Sequence, residues 1–225
     1  MTKKTALIAG ATGLTGSALL KLLLESDKYH KIKVLSRKPV KHQHPKIEQL
    51  LIDFDKLSDY TNFLKADDVY CCLGTTIKKV KTKKAFKKVD YYYPLELAKL
   101  TKAEGAKNFV VVSSVGANEK SLFFYTKVKG ALEKALKALG YKRLHIFRPS
   151  LLLGKREDFR FGEYMGSLIF KMMKPFFIGP FKKYRGIRAE FVAQAMYYAA
   201  QDNATGIFEY HSHDIWNICQ NAKKA

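Results

Sequence analysis

Three glycines at a fixed spacing constrain this chain more than any other feature. Gly10, Gly13 and Gly16, in "GATGLTG", stand between the apolar run "TALIA" and the leucine-rich segment "SALLKLLL". Two lysines ahead of an apolar run resemble a secretory leader. The glycines, with Thr12, Thr15 and Ser17, dilute the stretch below what membrane insertion requires, so a folded segment is the better reading. Residues 5 to 10 then read as a strand and Leu14 to Glu25 as a buried helix, with the glycines at the junction.

The same alternation continues along the chain. "KIKVLSR", "IEQLLIDF", "DDVYCCLG", "KNFVVVSS" and "RLHIFRPS" read as strands. "KLSDYTNFLK", "VDYYYPLELAKLTKAEG" and "KVKGALEKALKALG" read as helices between them, with Val128, Leu132, Ala135 and Leu139 on one face of the last. Short connections join these pieces, which is the signature of βαβ units and a parallel sheet. Further on, "AEFVAQAMYYAAQ" reads as a helix and "GIFEYH" as a strand. The predicted fold is α/β: a single Rossmann-type domain over residues 1–225, a doubly wound parallel sheet with a small C-terminal substrate cap at about 151–188. Phe159, Phe161, Tyr164, Phe176 and Phe177 make that cap aromatic.

Strand before and helix after give the glycines a mechanism. Gly10 permits the tight turn, Gly13 lets backbone approach a pyrophosphate, and Gly16 lets the helix pack close to the strand, with the helix N-terminus facing the phosphates. An acid about 20 positions past such a motif would bind the ribose hydroxyls of NAD. Here the second strand ends in Ser36, Arg37 and Lys38. A guanidinium there offers charge-assisted bonds to a 2′-phosphate, so NADP(H) is the predicted cofactor.

Carbonyl reduction needs a proton donor, and a tyrosine with a lysine four residues on places both on one helix face. Two such pairs occur, about the number chance provides. Tyr29 and Lys33 straddle a loop and a strand, whereas Tyr125 and Lys129 open the helix that follows the fifth strand. That strand ends in Ser113 and Ser114, either of which can bring a hydroxyl to the same carbonyl oxygen.

With these residues in view, the chain resembles the atypical short-chain dehydrogenase/reductases. "CLGTT", "VDYYYPLELAK", "SSVGAN", "YTKVKGALE" and "FRPSLLLG" are similar to the branch containing the Tat-interacting oxidoreductases of animals and their bacterial relatives, over residues 5 to about 200. The resemblance implies strand order 3-2-1-4-5-6 and NADP(H) in the glycine-rich crevice. It implies Tyr125 as acid/base, Lys129 as its electrostatic partner and ribose ligand, and Ser114, with Ser113 as the alternative, as the carbonyl ligand. Asp53 with Phe54 falls beside the adenine ring, and Leu73, Gly74 and Thr75 beside the adenine ribose. Thr12 and Leu14 complete the phosphate turn, and Arg148, Pro149 and Ser150 close strand six beside the nicotinamide.

Composition narrows the partners. The net charge of +21 permits anionic ligands, nucleic acid or an acidic surface. The densest run, "KKVKTKKAFKK" over Lys78–Lys88, has seven lysines and one aromatic residue, with no nucleic-acid motif around it. Three cysteines make neither a disulfide framework nor a zinc spacing, which suits a reduced, cytoplasmic setting. His42 and His44 are too isolated to hold a metal, and His211, His213 and Asp214 read as the cap of a terminal helix. No transmembrane segment is predicted, and a small molecule is the expected partner. The sequence leaves oligomeric state and substrate open, and it leaves a cofactor-sensing module as the rival to an enzyme.

Overall fold

The computed structural model describes residues 3–153 and 186–222. Most of the predicted cap, with its five named aromatic residues, lies outside them. Seven strands form one parallel sheet: β1 (Lys4–Ala9), β2 (Tyr29–Ser36), β3 (Ile47–Leu51), β4 (Asp68–Cys71), β5 (Asn108–Val112), β6 (Arg143–Arg148) and β9 (Gly206–His211). Two further short strands, β7 (Leu152–Leu153) and β8 (Ile187–Arg188), pair with each other. The main sheet runs β3-β2-β1-β4-β5-β6-β9, the expected Rossmann order with one more parallel strand at its edge.

Both faces are covered, as an all-parallel sheet requires. On β1 the alternation is complete: Ala6 and Ile8 join the core beneath α1 (Leu14–Glu25), while Leu7 and Ala9 join the core on the other face. The first face also receives Leu19, Leu20 and Leu23 of α1. Val192 and Met196 of the helix Ala189–Gln201, here α6, and Ile215 of α7 (Ser212–Ala222) complete it. The second face receives Leu97 and Ala98 of α4 (Tyr93–Ala103), with Leu132 and Leu136 of α5 (Phe124–Ala138).

Two stretches differ from the helices read in the sequence. "KLSDYTNFLK" forms tight 3₁₀ turns over Phe54–Phe63, kinked at Lys56 and Tyr60. Its Asp, Ser, Thr and Asn side chains compete with the regular helical ladder for backbone groups. The "VDYYYP" segment enters α4 through a π-helical turn, Lys88–Tyr92, preceded by two one-turn helices, α2 (Ile77–Val80) and α3 (Lys83–Lys87). Single π turns concentrate at functional sites, and this one carries a buried carboxylate.

At the other end of the sheet, the strand starts are tied by a polar cluster. Asp68 is fully buried, accepts from Tyr29 at 2.7 Å and Asn108 at 3.0 Å, and pairs with Lys4 at 3.2 Å. The second tyrosine–lysine pair thus has its tyrosine in the sheet's foundation, away from the glycine turn.

Candidate active site

The strand order reverses direction between β1 and β4, where α/β sheets open a crevice at the carboxyl ends of their strands. The glycine turn occupies that end of β1. Gly10 has a φ of +89°, and a Cβ on it would lie 2.5 Å from the Cys72 carbonyl oxygen beyond β4. A Cβ on Gly16 would lie 2.1 Å from the Gly10 carbonyl oxygen, so both the turn and the helix approach need the bare backbone. Gly13 caps α1 with extended backbone and no side-chain cap, leaving the first-turn N–H groups of Leu14 and its neighbours to an outside acceptor. Thr12 is exposed at the tip, while Thr15 Oγ1 is buried and has no partner among the described residues. An uncapped helix start behind a steric cradle suits a pyrophosphate.

The remaining sites named from the sequence around this crevice divide by exposure. Arg37 and Lys38 are exposed beyond β2, and the Ser36 hydroxyl donates to the Lys38 carbonyl at 2.8 Å and accepts from Gln49 at 2.6 Å. Asp53 is exposed and accepts from the Asp55 N–H at 3.0 Å, opening the 3₁₀ turns. The Phe54 side chain is buried against Tyr93, with ring centroids 5.5 Å apart, so it packs the core. Leu73, Gly74 and Thr75 follow β4, and the Thr75 N–H donates to Asp90 at 2.9 Å.

Asp90 is the residue that sequence reasoning missed. The π turn brings it under the Gly74–Thr75 backbone, where its other oxygen pairs with Lys129 Nζ at 2.8 Å. Burial alone would depress the Lys129 ammonium, but Asp90, Tyr125 and Cys71 together hold its pKa above the ordinary lysine range. One signal was available in the sequence: Asp90 is the single acid between Lys78 and Tyr93.

Tyr125 opens α5 one turn before Lys129, half-buried against the Phe86 ring at 5.6 Å. Burial pushes its phenol upward, Asp90 adds to that, and Lys129 with the Ser114 hydroxyl pulls it down. The net direction is up. Lys129 pulls the phenol down, but desolvation outweighs it. Cys71, beside this cluster, has its thiol pushed up to about 11 by burial, which leaves it protonated at neutral pH.

The two serines separate. Ser113 Oγ donates to Glu133 Oε1 at 2.5 Å, one turn beyond Lys129 on α5. Ser114 bears on Tyr125, and its hydroxyl donates to the Val115 carbonyl at 3.0 Å. Both serines follow the last residue of β5, and the Ser113 N–H still donates to the Phe147 carbonyl of β6 at 2.7 Å. Arg148 grips the same Glu133 and pairs with Glu209 at 2.5 Å, so it bridges β6, α5 and β9. The Pro149 carbonyl accepts from the Val115 N–H at 3.0 Å, and the Ser150 N–H donates to Ser212 at 2.9 Å. Glu133 was missed as well, and its one label in the sequence is its position four residues after Lys129.

Among the described residues no cluster of histidine, cysteine or acidic side chains could hold a metal. Asp214 Oδ2 accepts from the His211 N–H at 2.9 Å, the reach-back contact of a helix start. No helix among the described residues is long and apolar enough to cross a membrane.

This arrangement has known counterparts. Residues 6–176 match the model of the NAD dependent epimerase/dehydratase family. Protein HTATIP2 of Rattus norvegicus is 37% identical over 174 residues, 76% of this chain and 72% of that protein. The mitochondrial protein FMP52 of Debaryomyces hansenii is 39% identical over 155 residues, 68% of this chain and 69% of that protein. Among solved structures, MoeE5 in complex with UDP-glucose and NAD superposes with a TM-score of 0.71 at 18% identity, covering 92% of this chain and 75% of that one. An ADP-L-glycero-D-manno-heptose-6-epimerase from Helicobacter pylori gives 0.69 at 18% identity, covering 97% and 82%. Glycine turn, strand order and the extent of these matches agree: the chain belongs to the NAD dependent epimerase/dehydratase family.

Proposed function

We propose that the protein is an NADP(H)-dependent oxidoreductase that reduces a small carbonyl or quinone compound. The observations that carry this reading are that Tyr125 lies one turn before Lys129 on α5, that the Lys129 ammonium is fixed by Asp90 at 2.8 Å, and that Ser114 and Lys129 both act on the Tyr125 phenol. The phenol, with an ordinary pKa of about 10, is protonated at neutral pH, the state a donor needs for reduction. Tyr125 delivers the proton to the carbonyl oxygen. Ser114 orients that oxygen, and Lys129, fixed by Asp90, keeps a positive charge beside the phenolate left behind. A bound nicotinamide cofactor would supply the hydride.

The glycine turn and the open start of α1 would take the pyrophosphate, with Lys129 also reaching the nicotinamide ribose. Arg37 and Lys38 favour the 2′-phosphate of NADP, although the family is described as NAD dependent and MoeE5 is in complex with NAD. In this reading Ser113 and Arg148 act through Glu133, locking α5 to the ends of β5 and β6, and touch no substrate. The substrate cap is proposed for about 151–188, within the single domain. The three free cysteines suit a reducing, cytoplasmic compartment, while the FMP52 relatives carry "mitochondrial" in their names. The experiment is a screen of NADPH oxidation against aldehydes, ketones and quinones. Turnover of any acceptor supports the reading, and NADPH binding without turnover would favour a cofactor sensor.

A further inference from the structure

The lysine-rich run forms one face of the fold, beside the start of α5. Lys78, Lys79, Lys81, Lys83, Lys84 and Lys87 are exposed on α2, α3 and the turn between them, and no acid interrupts residues 76–89. Aromatic contacts tie this face to α5: Phe86 of α3 lies 5.7 Å from the Phe124 ring, and Lys83 Nζ stands 5.4 Å over that same ring. Immediately before Phe124 the chain turns two apolar side chains outward. Leu122 is 100% exposed and Phe123 52%, with the exposed Lys120 and Lys127 on either side of them in the chain. Lys87 in turn stands 5.3 Å over the half-exposed Tyr92 ring. The acids nearest to this face are already paired, Asp55 with Lys88 and Glu119 with Lys134, each at 2.8 Å.

We propose that this face docks on a lipid bilayer rich in acidic phospholipid, with Leu122 and Phe123 entering the boundary between headgroups and acyl chains. Charge complementarity supplies the attraction: exposed lysines with no spare acid among them are drawn to an anionic surface, where each ammonium acts as a point charge and needs no fitted pocket. The two apolar side chains choose the occupant. Held in water by the loop before α5, they gain free energy on entering lipid, whereas a hydrated phosphate polymer offers them no such exchange. The run also contains no arginine, the residue suited to bidentate contact with a nucleic-acid backbone. Phe86 lies 5.6 Å from the Tyr125 ring, so the docking face borders the candidate active site.

The test is sedimentation of the full chain with vesicles of phosphatidylcholine alone and of equal parts phosphatidylcholine and phosphatidylglycerol, at about 0.1 M and about 0.5 M salt. The variants are Lys83→Ala/Lys84→Ala/Lys87→Ala and Leu122→Ser/Phe123→Ser. A charge-matched control, Lys28→Ala/Lys107→Ala/Lys142→Ala, removes exposed lysines that precede β2, β5 and β6 at the other end of the sheet. Each is first checked for wild-type circular dichroism. Wild type should bind the mixed vesicles, leave the phosphatidylcholine vesicles in favour of solution, and be released at the higher salt. Loss of the three lysines on α3 should weaken binding roughly a hundredfold, and loss of the two apolar side chains at least tenfold, while the control stays close to wild type. Absence of binding to the mixed vesicles, equal binding to both kinds, or equal weakening in the control would overturn the assignment. Unchanged binding in Leu122→Ser/Phe123→Ser would overturn it as well. So would tighter binding of a DNA duplex or of polyglutamate than of the mixed vesicles, in favour of a polymer partner.

Discussion

Lys129 Nζ lies 2.8 Å from Asp90 Oδ1, and the two side chains are 4% and 1% exposed. A buried pair of this kind is strongly coupled: removing one partner strands the other charge in a medium that solvates it poorly. Asp90→Asn should therefore lower unfolding stability by about 3–5 kcal/mol in denaturant titrations. The double variant Asp90→Asn/Lys129→Met should recover much of that loss, because no lone charge remains. Additive losses in the two single variants and the double would show that the pair is not coupled.

The serines give a sharper contrast. Ser114→Ala should reduce turnover, most visibly in kcat, because its hydroxyl bears on the Tyr125 phenol. Ser113→Ala should act chiefly on stability, by about 1–3 kcal/mol, since it leaves the buried Glu133 short of a donor. Steady-state kinetics beside thermal melts would check this, and the reverse pattern would exchange the two roles.

Arg37 controls cofactor choice in this account. Arg37→Ala should weaken NADPH by about ten- to a hundredfold, the worth of one charged hydrogen bond of roughly 1.5–3 kcal/mol, and leave NADH nearly unchanged. Calorimetry with both cofactors decides it. Equal affinities for NADPH and NADH in the wild type would remove the basis for the preference.

His145 predicts a pH dependence of stability unrelated to catalysis. Buried on β6 between Phe208 and Tyr210, with Nδ1 3.0 Å from the Tyr210 hydroxyl, its pKa is lowered to about 4 by burial first and by Arg143 second. The unfolded chain binds this proton near pH 6.5 and the folded chain only near 4. Its contribution is thus complete above about 6.5 and is lost as pH falls toward 4. That loss steepens the stability curve by up to about 1.4 kcal/mol per pH unit in that window. Denaturant titrations from pH 7 to 4 should show a shallower slope for His145→Gln than for the wild type, and identical slopes would refute the assignment.

Local features were legible in the sequence, and features set by tertiary contact were not. Gly10 and Gly16 could be read because a left-handed turn and a close helix approach leave glycine as the residue that fits. Tyr125 and Lys129 could be read because their spacing is one helical turn. Asp90 was hidden, since a π turn shifts the facing of the helix and brings the carboxylate under a loop fifteen residues away. Ser113 and Ser114 could not be told apart because both follow the last residue of β5, and tertiary contact sets the partner of each. Arg148 read as a cofactor neighbour, and in the fold it is held by two glutamates, one on α5 and one on the added edge strand. Neither partner is near it in sequence.

The central claim is that Tyr125 supplies the proton, and stopped-flow NADPH oxidation by Tyr125→Phe, at saturating cofactor and with an acceptor the wild type turns over, tests it most directly. The variant keeps the ring against Phe86 and loses the hydroxyl. NADPH affinity should match the wild type while turnover falls by about 10² to 10⁴, the usual worth of general acid catalysis. Undiminished turnover would contradict the account.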